Sequence, residues 1–348
     1  MVRRVAFAVP GDLATPTGGY AYDRRMIAEL QRLGWQVDVI GLGDGFPRPS
    51  DTQKAQAQAR LAAVSGDVPI VVDGLAFGVL PEAAQALRAR PLVALVHHPL
   101  ALETGVSAVE AQALLTSERT ALAAARGVIV TSPSTARVLI ADYDVPADRI
   151  AIALPGTDRG EPAQGSTDGV VRLLSIGTLV PRKGYDVLIA ALAQMPGLPW
   201  RLTIAGERRE PATAARLDAD IARHDFGGRV ALLGAVSADR LSALYRAADI
   251  FVLASRFEGY GMAYAEAIAH GLPVIGTTGG AIPDTVPSEA GVLVPPDNID
   301  ALARALRRLI EDTAERRRLA AGARAAAIRL ASWADSAKRF SNALEAVT

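Results

Sequence analysis

The stretch SRFEGYGMAYAEAIAHGLPVIGTTGG, residues 255–280, sets two carboxylates, Glu258 and Glu266, eight positions apart among glycine, alanine and apolar residues. Gly259 and Gly261 predict a helix that begins near Tyr260 or Gly261. Glu258 then stands on the preceding loop, and Glu266 about a turn and a half inside the helix. At such a start the backbone N–H groups of Gly259, Tyr260 and Gly261 lack intrahelical acceptors and suit a ligand oxygen. Carboxylates accept hydrogen bonds from hydroxyls while amides donate to oxygens, so the stretch holds both halves of a site for a polyhydroxylated ligand. The simpler roles are a charge–dipole contact for Glu258 and a solvent-facing position for Glu266. Against the latter, Met262, Ala263, Ala265, Ala267 and Ile268 leave little room for an open face.

Other residues point to anion chemistry. Arg182, Lys183 and Gly184 fall between an apolar run, VRLLSIG, and a helical pattern, KGYDVLIAALAQM. Cations on that loop would meet a diphosphate, although most such pairs are simply solvated. Gly18 and Gly19 precede a helix after the first apolar run, where paired glycines let backbone amides approach an anion. His97 and His98 close PLVALVHH. One imidazole is expected to bond a ligand hydroxyl while the other caps the strand or meets solvent; adjacent strand residues point oppositely, which is poor geometry for a shared metal. Two patterns mislead. GLGDG at 41–45 leads into FPRPS, which cannot open the helix a dinucleotide fingerprint needs. Asp218 and Asp220 resemble a metal-holding D-x-D but lie in TAARLDADIARHD, a helical pattern with a solvated face.

These residues need a scaffold, and the sequence supplies an alternation. RVAFAVP, QVDVIGL, VPIVVDG, PLVALVHH and GVIVTS read as buried strands, separated by helical segments such as AYDRRMIAELQRLG and AVEAQALLTSERTALAAARG. Residues 154–170, LPGTDRGEPAQGSTDGV, read as an inter-domain linker. The alternation then restarts with VRLLSIG, WRLTIAG, RVALLG, DIFVLAS, LPVIG and GVLVP, and closes on three helical segments. The expected fold is α/β, with two doubly wound parallel sheets in tandem and a ligand cleft at the carboxyl ends of their strands.

Composition narrows the classes. The 348 residues exceed one ordinary core, and 37 basic against 37 acidic side chains give no basic face for nucleic acid. With no cysteine there is neither a disulfide framework nor a thiolate metal site. MVRRVAFAVPG has too short an apolar run for a signal peptide or a membrane span, so a cytoplasmic protein is expected. Residues 1–160 carry 15 basic and 16 acidic side chains, which argues against a polybasic membrane dock, though weak surface contact needs only a patch. Oligomeric state is not readable.

The chain resembles the retaining family-4 glycosyltransferases (glycosyl transferases group 1) of GT-B fold, over nearly its whole length. The resemblance is carried by E-x7-E in FEGYGMAYAE followed by AIAHGLPVIGT, by RKG after SIGTLV, and by ALYRAADIFVLASRFEG. The GGY loop and the SWADSAKRF helix agree with it. It implies two Rossmann-like domains: residues 1–160 for the acceptor, with helix 331–348 crossing back onto them, and 161–330 for a nucleoside-diphosphate sugar, UDP-, GDP- or ADP-linked. Position by position, Glu266 would take the ribose hydroxyls and Glu258 would face the donor sugar. The amides of Gly259, Tyr260 and Gly261 would hold sugar hydroxyls or phosphate. Lys183, assisted by Arg182, would neutralise the diphosphate, touched also by the Gly18–Gly19 loop. His97 matches the family histidine at the donor sugar, with His98 as the alternative. Many members carry arginine after the glycine of the first C-domain strand; Thr178 stands there instead, leaving the division of work between Arg182 and Lys183 open.

The expected reaction is transfer of a sugar to an acceptor hydroxyl (small molecule, saccharide or lipid-linked) with the anomeric configuration retained. It would use neither metal nor cofactor, the leaving phosphate helping to deprotonate the acceptor. The rival readings are a glycoside hydrolase using Glu258 and Glu266 as acid and base, and a nucleotide-sugar binding protein without turnover.

Overall fold

The computed structural model describes residues 3–348, which fall into two compact units: the chain up to Gly156 together with Ala331–Thr348, and Thr157–Leu330.

The first unit holds strands β1 (Arg3–Val9), β2 (Trp35–Gly41), β3 (Ile70–Asp73), β4 (Leu92–Val96), β5 (Gly127–Val130) and β6 (Ile150–Ile152). They form one parallel sheet in the order β2-β1-β3-β4-β5-β6. Residues 70–73 and 92–96 are buried throughout, as apolar runs covered on both faces must be. Helix Gly18–Arg32 is capped by Thr17, whose hydroxyl accepts from Tyr20 N at 3.3 Å, and buries Tyr22, Met26, Ile27 and Leu30 on one stripe. Against it packs the C-terminal helix Trp333–Glu345, which buries Trp333, Ala337, Phe340 and Leu344. Phe340 stacks on Phe7 at 6.2 Å, and Trp35 Nε1 donates to Ser341 Oγ at 2.9 Å. Burial of two large aromatics is worth several kcal/mol by area, about 2–3 kcal/mol for each ring.

The second unit repeats the plan with β7 (Val171–Ile176), β8 (Trp200–Ala205), β9 (Val230–Leu232), β10 (Ile250–Val252), β11 (Val274–Thr277) and β12 (Gly291–Val294). All pairs are parallel, in the order β12-β11-β10-β7-β8-β9. The order reverses between β7 and β10, and loops after these two strands are where an open α/β sheet binds ligands. In the first unit the reversal lies between β1 and β3.

Two expectations are corrected. Residues 157–170 are not a free linker but part of the second unit. Ala163 N donates to His270 O at 2.8 Å, Gln164 N to Arg246 O at 2.9 Å, and Ser166 N to an Asp249 carboxylate oxygen at 2.9 Å. A segment without regular structure satisfies its backbone this way when its own residues supply no ladder. Strand β6 was not expected, since Ile150–Ile152 offers only three apolar residues. Among the described residues, no helix is long and apolar enough to cross a membrane.

Candidate functional site

At the reversal in the second unit, β7 leads into a short 3-10 turn, Pro181–Lys183, closed by Gly184 at φ 64°. A Cβ there would stand 2.1 Å from the carbonyl oxygen of Ala254, so only glycine lets the turn lie against the chain leaving β10. Arg256 N donates to Arg182 O at 2.7 Å and fixes the two loops together. Glu258 is thereby set between two cations. Lys183 Nζ reaches its Oε1 at 2.7 Å, and Arg182 reaches its Oε2 at 3.1 Å while also donating to Phe257 O at 2.9 Å. Ser255 Oγ donates to Oε1 at 2.5 Å. Glu258 is 6% exposed. Burial alone would push its carboxyl up, but Lys183, Arg182 and the hydroxyl of Ser255 outweigh it and hold the group at about 2, a carboxylate at any ordinary pH.

Helix Met262–Ala269 follows, with Gly261 at φ 91° as its cap, so the expected start is met and Glu266 lies inside the second turn. Among the described residues the N–H groups of Gly259, Tyr260 and Gly261 make no hydrogen bond. The Tyr260 side chain is buried, and its carbonyl accepts from Thr285 Oγ1 at 2.5 Å, so this residue offers its amide rather than its ring. Glu266 is half-buried and accepts from the Tyr245 hydroxyl at 2.8 Å, with the Tyr245 ring stacked on His270 at 4.8 Å. Burial and the charge of Asp158 push its carboxyl up, against the Tyr245 hydrogen bond. Asp218 and Asp220 lie on helix Pro211–Arg223, paired with Arg208 and Arg223, which makes them an ordinary helix face.

In the first unit Gly18 and Gly19 open helix Gly18–Arg32, and a Cβ on Gly19 would lie 3.5 Å from the His97 ring. His97 follows β4, and its Nε2 stands 3.3 Å from a carboxylate oxygen of each of Asp23 and Asp73. His98 faces elsewhere, its Nε2 3.1 Å from Glu103 Oε2. Thus Arg182, Lys183 and Glu258 form one cluster, Glu266 and the three amides stand on the helix that follows, and the two histidines diverge.

Residues 69–161 match the model for Glycosyltransferase Family 4, and residues 159–326 the model for Glycosyl transferases group 1. The chain belongs to this glycosyltransferase family. The MMP alpha-(1->4)-mannosyltransferase of Mycolicibacterium hassiacum is 27% identical over 308 residues, 83% of this chain and 73% of that protein. The D-inositol 3-phosphate glycosyltransferase of Xylanimonas cellulosilytica is 30% identical over 66% of this chain and 58% of its own length. Several relatives are thus spanned over less than two thirds of their length. Sucrose-phosphate synthase of Thermosynechococcus elongatus shares the fold at a TM-score of 0.82, with 23% identity over 99% of both chains. Anabaena HepE, solved with UDP-glucose, does so at 0.77, with 20% identity over 98% of this chain and 99% of its own. The two Rossmann-like sheets are those of the GT-B fold.

For a glycosyltransferase of this family, four supporting residues went unread in the sequence. Ser255 is three positions before Glu258 and was visible as a neighbour, but nothing marked its hydroxyl as a partner. Tyr245 sat in the quoted ALYRAADIF pattern as an apolar helix position. Asp23 and Asp73 reach His97 from segments 74 and 24 positions away, and no local spacing signals that.

Proposed function

We propose that this glycosyltransferase moves a hexose from a nucleoside-diphosphate sugar to an acceptor hydroxyl, with retention of configuration and without a metal ion. The observation that carries the reading is the pair Lys183 and Arg182, locked beside the unbonded amides at the head of helix Met262–Ala269. Departure of a nucleoside diphosphate leaves charge on a phosphate oxygen. A fixed ammonium, a fixed guanidinium and aligned N–H groups stabilise that charge without reorganising, which is the work a metal does in other sites. Glu258 orients both cations through its two oxygens and keeps one lone pair, on Oε2, for a sugar hydroxyl. Glu266, steadied by Tyr245, takes the ribose hydroxyls. The first unit offers the Gly18–Gly19 loop and His97 as ligand contacts, His98 being engaged by Glu103.

Retention follows from a front-face course in which the leaving phosphate accepts the acceptor's proton, so no side-chain base is required. The relatives support the donor class: one is described as GDP-mannose-dependent, and HepE is solved with UDP-glucose. The test is a thermal-shift panel of UDP-, GDP- and ADP-sugars, followed by product analysis with the stabilising donor. The anomeric coupling in the product NMR spectrum should match that of the donor, and turnover should survive EDTA. An inverted anomer, or activity abolished by EDTA and restored by a divalent ion, would sink the corresponding claim.

A further inference from the structure

Two buried aspartates converge on His97, and nothing in the transfer chemistry above uses them. Asp23 is wholly buried on helix Gly18–Arg32, and Asp73, 2% exposed, closes β3. Their oxygens and the imidazole Nε2 lie within 4.8 Å of one another. Asp73 already has one task, since its Oδ1 accepts from Leu75 N at 2.8 Å to cap the next helix, while its Oδ2 faces the histidine. Neither carboxylate lies in line with the ring N–H: Nε2 and both oxygens of Asp23 are buried without a hydrogen-bond partner, and what joins them is proximity at 3.3 Å. Nε2 thus stands between two acceptors at equal distance.

The ring is otherwise immobilised. Tyr22 packs edge-on at 5.3 Å, and the first turn of helix Gly18–Arg32 lies over Cδ2 at Gly19. The His97 carbonyl accepts from Thr131 Oγ1 at 3.2 Å and Thr135 Oγ1 at 3.4 Å. Among the described residues Nδ1 makes no hydrogen bond, and the side chain is 20% exposed. Two carboxylates sealed from water are costly, and a purely structural contact would be served by apolar residues.

We propose that Asp23 and Asp73 are positioning residues for His97, gripping Nε2 so that Nδ1–H is presented as a cationic donor to an oxygen of a sugar ligand. This rests on His97 contacting the sugar, as proposed above. A cation donates a shorter and stronger hydrogen bond than a neutral imidazole, and its presence no longer depends on which tautomer forms. Burial works against the imidazolium, but hydrogen bonds and charge from Asp23 and Asp73 outweigh it and push His97 up to about 10. Burial and the charge of Asp73 push Asp23 up in turn, against the hydrogen bond and charge of His97. The charged or titratable groups facing the ring are Asp23, Asp73 and the Tyr22 phenol, whose own proton is held by burial.

The test is an NMR titration of the histidine Cε1–H resonances in the full chain, with His97→Gln used only to assign the signal. Of four histidines, that of His97 should stay in the protonated position past pH 8.5. In Asp73→Asn or Asp23→Asn its midpoint should fall by at least about one pH unit. In the same variants the alkaline limb of kcat/KM should move to lower pH together with that midpoint. A wild-type midpoint near the ordinary histidine value of about 6.5 would overturn the proposal even if neither variant folds. So would a stoichiometric divalent ion that survives dialysis and is lost in the variants. Because the titration needs no substrate, its failure is distinguishable from failure of the transferase reading.

Discussion

Replacing Glu258 by glutamine keeps the size of the side chain and removes its charge, and the cost can be worked out. The carboxyl is held at about 2 in the folded chain, against an unfolded value of 4.5. Each unit is worth about 1.4 kcal/mol, so ionisation of Glu258 contributes about 3 kcal/mol of stability at pH 7. Removing one member of a buried ion cluster independently costs about 3–5 kcal/mol, and here two cations lose their partner. For a depressed carboxylate the contribution is present above the unfolded value and disappears as pH falls through the folded one. The gap between wild type and Glu258→Gln should therefore narrow from about 3 kcal/mol at pH 7 to about 1.5 kcal/mol at pH 3.

The assay is urea denaturation followed through Trp200, the tryptophan of the second unit, in a chain where Trp35 and Trp333 are phenylalanine. Trp200 is buried against Phe226 at 5.0 Å, so its fluorescence reports that unit's core directly. The reasoning fails if Glu258→Gln is as stable as the parent at pH 7, or if the gap does not shrink towards acid. Catalysis should suffer separately, because Lys183 and Arg182 would no longer be aligned.

Other substitutions probe the same framework. Lys183→Ala should lower kcat/KM about 10²–10³-fold with the true donor, the usual loss for one charge-stabilising donor, and unchanged turnover would refute its role. Gly184→Ala combines a positive φ with a 2.1 Å collision at Ala254 O, so it should cost about 2–4 kcal/mol in denaturant melts and abolish transfer by displacing Lys183. Glu118, buried where it accepts from Leu100 N at 3.1 Å, is pushed up by burial to about 8, so its ionisation opposes folding as pH rises above 4.5. Glu118→Gln should be neutral at pH 4 and stabilising by about 3 kcal/mol at pH 7, read from melts of the first unit.

The sheets were legible because parallel strands buried on both faces are runs of Val, Ile and Leu, and all eleven runs read as strands in sequence are strands in the structure. Ile150–Ile152 escaped because three residues carry no periodicity. Residues 154–170 were legible as a loop but not as a loop that packs: glycine, proline and aspartate report the absence of a ladder, not where the chain's amides find acceptors. The cluster of Arg182, Lys183 and Glu258 could be anticipated because each stands on a loop leaving a strand, and in this topology such loops share one edge of the sheet. The grip on His97 could not. Asp23 reads as one polar position on an amphipathic helix and Asp73 as the end of a strand, and only the placement of β3 beside both β1 and β4 brings them together.

The two glutamates of the E-x7-E stretch end in opposite environments, Glu258 pulled down by cations and Glu266 pushed up by burial. Carboxyls driven apart in this way are also what a retaining glycosidase builds, with the depressed one as nucleophile and the raised one as acid. The details tell against it. A nucleophile needs an oxygen whose charge is not already neutralised by a paired cation, yet Oε1 of Glu258 is held by Lys183 and Ser255, and Oε2 by Arg182. A general acid needs its proton favoured by its partners, yet Tyr245 donates to Glu266 and so favours the carboxylate. What the arrangement concentrates is positive charge beside unbonded amides, and a glycosidic leaving group gives no diphosphate for that charge to meet. A nucleotide-sugar does.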